Sequence, residues 1–216
     1  MKNVNIIPLL ISMLLFVAHS LTANDERYLE VMQKNIHAVY TAETIADLQQ
    51  SVNTLERIAV AEKSKWEPYY YAAFGYILMA TREQDSAKKD LFLDQATAAV
   101  DKAKAIKAGE SEIIALEGFV YMIRVTVDPA TRGPQYAGLA MQTFGKAAAL
   151  NPENPRPLAL LAQMQFGTAK FFGSPTTEAC GTLAVSLEKF DTYKPENSLS
   201  PQWGRDMALE LKNECK

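Results

Sequence analysis

Along most of the chain, apolar residues return at intervals of three and four. Ile45, Leu48, Val52, Leu55, Ile58 and Ala59 fall on one stripe, the spacing of a helix with one buried face. The same periodicity predicts helices over about 24–40, 43–62, 67–82, 86–107, 111–126, 134–150 and 155–170, a shorter one over 176–193 and a last one over 201–215. No segment shows a sustained period-two alternation of β-branched residues, and no Asn-Gly or Asp-Gly pair marks a hairpin. Ala, Leu, Glu, Lys, Gln and Met dominate, and all are good helix formers. The breaks carry matching punctuation. Gly109 closes one helix. The segment from Asp128 to Pro134 reads as a proline-bounded loop, and the prolines from Asn151 to Pro157 forbid continuation of the preceding helix. The expected fold is all-α.

A period near 43 residues runs through these helices. Gly75 and Gly118 lie 43 apart, each in the first helix of a pair, and Ala103 and Ala147 lie 44 apart near the end of the second. The spacing Ala140-x3-Phe144-x2-Ala147-x4-Pro152 resembles the second half of a tetratricopeptide repeat (TPR), and Gly118-x2-Tyr121 resembles its first helix. Small residues let paired helices approach closely, and the aromatic knob fills the groove opposite. These repeats exceed the TPR length by about ten residues, the excess lying between the two helices of each pair. The chain as a whole resembles a group of exported bacterial TPR-like proteins without a defined activity. The residues that carry the likeness are Glu56-Arg-Ile-Ala59, Trp66-x-Pro-Tyr-Tyr-Tyr71, Asp128-Pro-x-x-Arg-Gly133, Asn154-Pro-Arg156, Phe171-Phe-Gly173 and Pro201-x-Trp-Gly204. The resemblance implies a TPR-like α-α superhelix of about four helical hairpins plus a C-terminal helix, spanning 24–216.

The N-terminus departs from this pattern. Lys2 is the only charge before Asp25, and Ile6 to Ala18 is an apolar run of 13 residues. A membrane span needs about 20 such residues, whereas a signal-peptide core does not. Residues 1–23 therefore read as a signal peptide cut after Ala23, with an earlier cut near Ser20 or an uncleaved anchor as the other readings. Cleavage would leave no integral membrane span and a periplasmic or secreted product. In such an oxidising compartment the only two cysteines, Cys180 and Cys215, read as a disulfide. Closing a loop of about 35 residues would contribute roughly 3 to 4 kcal/mol. Two separate buried thiols are the other reading.

Composition narrows the chemistry. Lys and Arg number 22 against 25 Asp and Glu, a net charge of −3, so no basic field for nucleic acid is expected. His37 is the single histidine after residue 23, which gives no basis for a Ser-His-Asp triad or a histidine metal site. No Gly-x-Gly-x-x-Gly or Gly-x4-Gly-Lys phosphate loop occurs. The expectation is a protein that is not an enzyme and holds no cofactor or metal.

In a TPR-like stack the first helix of each pair lines the concave face. Transferring the motif position by position places Tyr69, Tyr76 and Met79 there from one pair, Glu112, Phe119 and Met122 from the next, and Arg156, Gln163 and Phe166 from the third. Aromatic and methionine side chains with a few polar anchors suit a peptide or an apolar ligand. The same spacing also suits a core. The leading functional expectation is a protein–protein interaction scaffold in the cell envelope that binds a peptide or partner protein in that groove. The alternative is a small-molecule carrier or transport-accessory protein with an enclosed apolar pocket.

Overall fold

The computed structural model describes residues 25–215. The signal peptide expected over 1–23 lies outside the described residues. Among those described there are nine helices and no strand, so the fold is all-α. They are α1 (25–41), α2 (Ile45–Ala61), α3 (Glu67–Arg82), α4 (Ser86–Ile106), α5 (Ser111–Val125), α6 (Pro129–Leu150), α7 (Pro155–Phe172), α8 (Thr177–Thr192) and α9 (Arg205–Glu214).

Local chemistry fixes most of these boundaries. Thr44 and Asp47 form a reciprocal capping box that starts α2. Asp85, Asp128 and Asn154 each accept a hydrogen bond from a first-turn amide of α4, α6 and α7. Pro129 and Pro155 stand at the first helical position, where their missing N–H costs nothing. Gly173 ends α7 at φ 65°, a left-handed conformation that a side chain would strain. The stripe of α2 is buried at Leu48, Val52, Leu55 and Ala59.

Two boundaries differ from the sequence reading. Helix α6 begins at Pro129 and runs through Pro134, so the expected loop is the opening of a helix. Asp128 caps it and Pro129 presets its first φ, which together outweigh the one hydrogen bond lost at Pro134. The other difference is at the C-terminus. Residues 193–204 are a non-helical strap, and α9 begins only at Arg205.

Consecutive helices from α2 to α9 pack on one another, and α3, α5 and α7 also touch directly to form an inner row. Gly118 of α5 makes the close approach to α6 possible, because a Cβ there would lie 2.5 Å from the Phe144 ring. In α3, Gly75 faces Val52 of the preceding helix α2. Beyond the strap, the Cys180–Cys215 disulfide joins the start of α8 to the end of α9, with Cα atoms 5.7 Å apart. It fastens α9, and with it the far end of the strap.

Candidate functional site

The inner row carries a polar network that the apolar pattern does not announce. Tyr70 on α3, Glu112 on α5 and Arg156 on α7 occupy the first turns of three neighbouring helices. All three are buried. Arg156 Nη1 donates to Glu112 Oε1 at 2.9 Å and Tyr70 Oη donates to Glu112 Oε2 at 3.3 Å. The strap supplies the remaining partners. Arg156 Nε donates to the Trp203 carbonyl at 2.9 Å, its Nη2 donates to the Pro201 carbonyl, and the Trp203 indole N–H donates to Tyr70 Oη at 3.0 Å. The Tyr71 hydroxyl donates to the Leu199 carbonyl at 2.7 Å. A buried guanidinium is tolerated here because its charge is paired and its fork is filled. Burial pushes the Tyr70 hydroxyl well above the ordinary phenol range, with the Glu112 carboxylate adding to the shift.

Trp203 packs against the inner row. Its indole stacks between Phe74 and Phe119, with ring centroids at 4.8 and 5.8 Å and interplanar angles of 19° and 28°. Tyr40 packs edge-on against Tyr71 and Phe74, and its hydroxyl accepts from the Gln202 amide at 3.3 Å. The strap thus packs on Phe119 and Arg156, two of the side chains expected to line an open groove.

Where the strap leaves α8 a cleft remains, with a volume of about 430 Å³. Trp66, Tyr193, Leu199 and Pro201 are among the residues that line it. Lys107, Lys194 and several carboxylates form the rest of the lining. Most of those carboxylates have built-in partners. Glu110 pairs with Lys107, Glu112 with Arg156, and Glu153 with Lys189. Lys107 also lies 5.2 Å from the centroid of the Trp66 ring. The Arg156 guanidinium carbon lies 4.7 Å from the Tyr193 centroid. Burial raises the Tyr193 hydroxyl above its usual range while Arg156 pulls it down.

The residues expected on the concave face separate into three groups. Glu112, Phe119 and Arg156 come together around the strap, but all are buried. Tyr76 and Met79 are core, and Tyr76 donates to Glu56 on α2 at 3.1 Å. Burial and the Glu56 carboxylate push the Tyr76 hydroxyl up to about 12. Tyr69 is half-buried with Lys102 near its ring, while Met122 and Phe166 are buried. Gln163 is exposed beside a shallow recess against α9. No open concave surface is formed by this set. The reading omitted Tyr40, Tyr71, Phe74 and Trp203, which complete the centre, and Trp66 and Tyr193, which help line the cleft. A signal for part of this was present, since Trp66 to Tyr71, Asn154 to Arg156 and Pro201 to Gly204 are three of the motifs behind the TPR-like resemblance.

No protein-family model and no curated protein matches the chain. A solved structure does. The HusA haemophore from Porphyromonas gingivalis superposes with a TM-score of 0.78 at 26% sequence identity, over 88% of this chain and 92% of that one. This likeness overturns the leading expectation of a peptide-binding scaffold, because a protein similar over nearly its whole length is a haem carrier. The strap gives the physical reason, since a peptide would have to displace Trp203 and Arg156's partners. Among the described residues no helix is long and apolar enough to cross a membrane, and no cluster of His, Cys, Asp and Glu is arranged to hold a metal ion.

Proposed function

We propose that this protein is an exported carrier of a small planar ligand of the haem class. The observation that carries the reading is the whole-length structural likeness to a haemophore at 26% identity. Two further features agree with it. The Cys180–Cys215 disulfide suits an oxidising compartment outside the cytoplasm. The strap and its buried network give a preorganised frame that binds and releases cargo without turnover. On this reading the stack is a TPR-like derivative in which the strap has taken the place of a peptide ligand.

The test is a titration of haemin into the non-reduced 24–216 protein, followed at the Soret band and by calorimetry. Saturable binding of about one haemin per chain, tighter than to serum-type bulk protein controls, is expected. A linear, non-saturating response indistinguishable from the controls would overturn the carrier reading.

A further inference from the structure

Helix α7 is buried at one end and bare at the other. Its first turn is held in the interior through Arg156, whereas residues 170–175, Lys-Phe-Phe-Gly-Ser-Pro, are all exposed. At 1.5 Å per residue, Phe172 stands about 24 Å along the axis from Arg156. Phe172, at 72%, is the most exposed large hydrophobic side chain among the described residues, and Phe171 reaches 64%. Their rings meet edge to face with centroids 5.1 Å apart. Charge is just as unevenly distributed. No Asp or Glu occurs from 154 to 177, in a chain that has 25 of them. We infer that this tip docks on a phospholipid bilayer, with both phenyl rings in the interface and Lys170 among the headgroup phosphates. The inference goes beyond the carrier reading and does not depend on it.

Removing two phenyl rings from water is the favourable term. Entry into an interface is normally opposed by unpaired backbone donors and by negative charge, and the tip is short of both. The amides of Lys170, Phe171 and Phe172 lie within α7. The Gly173 amide donates to the Lys170 carbonyl at 3.3 Å and the Ser174 amide to the Ala169 carbonyl at 2.8 Å. Pro175 has no N–H. The donors from 170 to 175 are therefore satisfied without water. Glu178, the first acid beyond the turn, accepts from Gln165 at 3.0 Å, which sets it level with a residue about two turns before Phe172. Lys170 complements anionic phosphate. Its ammonium lies 5.5 Å from the Phe166 centroid, a turn behind the phenyl pair, with its stem along apolar surface and its charge at headgroup depth. Beyond the turn, α8 is fastened to α9 through Cys180 and Cys215, so the tip is carried on a tied hairpin. A bilayer suits a protruding tip because it demands no complementary shape. A single acyl chain binds membranes only marginally and reversibly, and two rings bury less, so docking is transient, at lipid on the order of millimolar.

The experiment uses the 24–216 protein, which lacks the apolar run at 6–18, with phosphatidylcholine vesicles that are plain or brominated in the acyl chains. A Phe171→Trp form places an emitter at the tip. Trp66 and Trp203 of the original sequence are the internal control, since Trp203 is bonded to Tyr70 and Arg156 at the opposite end of α7. Thermal melting by circular dichroism verifies that each form is folded, as substitutions at exposed positions allow. The Phe171→Trp emission should shift to the blue on plain vesicles. Brominated lipid should quench the added emission by about half or more, and the original protein by less than about one-tenth. In flotation, Phe171→Ser/Phe172→Ser should lower vesicle binding at least about tenfold. Lys170→Glu should weaken binding to vesicles containing phosphatidylglycerol more than to phosphatidylcholine alone. Unshifted, unquenched emission from folded Phe171→Trp at about 10 mM lipid would overturn the docking, as would equal flotation of the original and serine forms. Self-association lost in the serine form, without vesicle binding, would assign the tip to a second copy and equally overturn it. Haemin titration of the same samples reads the carrier function separately, so neither failure entails the other.

Discussion

Arg156 is almost fully buried, and everything around it is arranged to make that possible. Its charge meets Glu112, and its remaining donors meet carbonyls of the strap. A buried pair of this kind contributes little over a well-packed apolar substitute, yet breaking it leaves a charge stranded. Arg156→Met should therefore cost about 3 to 5 kcal/mol in urea-induced unfolding. A loss below about 1 kcal/mol would mean that the strap does not depend on this residue. Asp90 gives a milder and pH-dependent case. It accepts two hydrogen bonds from Arg132 at 2.6 and 2.8 Å and one from Arg124 at 3.4 Å. The Arg132 hydrogen bonds, and then the charges of Arg132 and Arg124, hold its carboxyl below the usual value of 3.8. A depressed folded-state pKa adds stability above the unfolded value and loses it as pH falls through the folded one. Solvent screening limits the effect to about 1 kcal/mol. Asp90→Asn should show that deficit in denaturation at neutral pH, and the deficit should disappear in acid below both pKa values. A deficit independent of pH would rule out the ion pair as its source. The polar identity of Arg156 was legible in Asn154-Pro-Arg156, but its burial was not. Burial depends on a partner segment more than 40 residues away in sequence, which helical periodicity cannot report.

At the scale of elements, periodicity located the helices because their apolar stripes are the surfaces they bury. The α2 stripe and the caps at Thr44, Asp85 and Asn154 are examples in which a local signal and a tertiary role coincide. Gly118 is another: the TPR-like spacings marked it as a small residue and Phe144 as an aromatic knob, and a Cβ on Gly118 would lie 2.5 Å from that ring. Gly118→Ala should destabilise by about 1 to 3 kcal/mol through overpacking in thermal or urea melts. Adding Phe144→Leu should make the second change cost less than it does alone. If the two losses simply add, the close approach is not the cause. Local signals failed at two places. Asp128 to Pro134 was read as a proline-bounded loop before a helix from 134, although Asp128 and Pro129 start a helix that runs through Pro134. Residues 201–204 of the strap were read as the start of the last helix, which begins only at Arg205. What holds the strap in place is the set of donors and acceptors on α3 and α7.

At the scale of the whole molecule, the strap packs across the inner row of α3, α5 and α7. Trp203 of the strap stacks on Phe74, and Trp66 and Tyr193 help line the cleft beside the strap. The all-α class and the disulfide were legible from composition and cysteine count. The concave residues were legible as a set only in their helices, since the same stripe serves a groove or a core. Nine side chains were expected there, and the strap converted the three that meet at its centre into interior. At this scale the proposed carrier function rests on the shape shared with a haemophore over 88% of the chain. Haemin titration into the non-reduced 24–216 protein, read at the Soret band, tests the central claim most directly. Saturation near one haemin per chain, with affinity well above non-specific controls, is the predicted result. A linear response that matches the controls, from protein shown to be folded and disulfide-bonded, would contradict it.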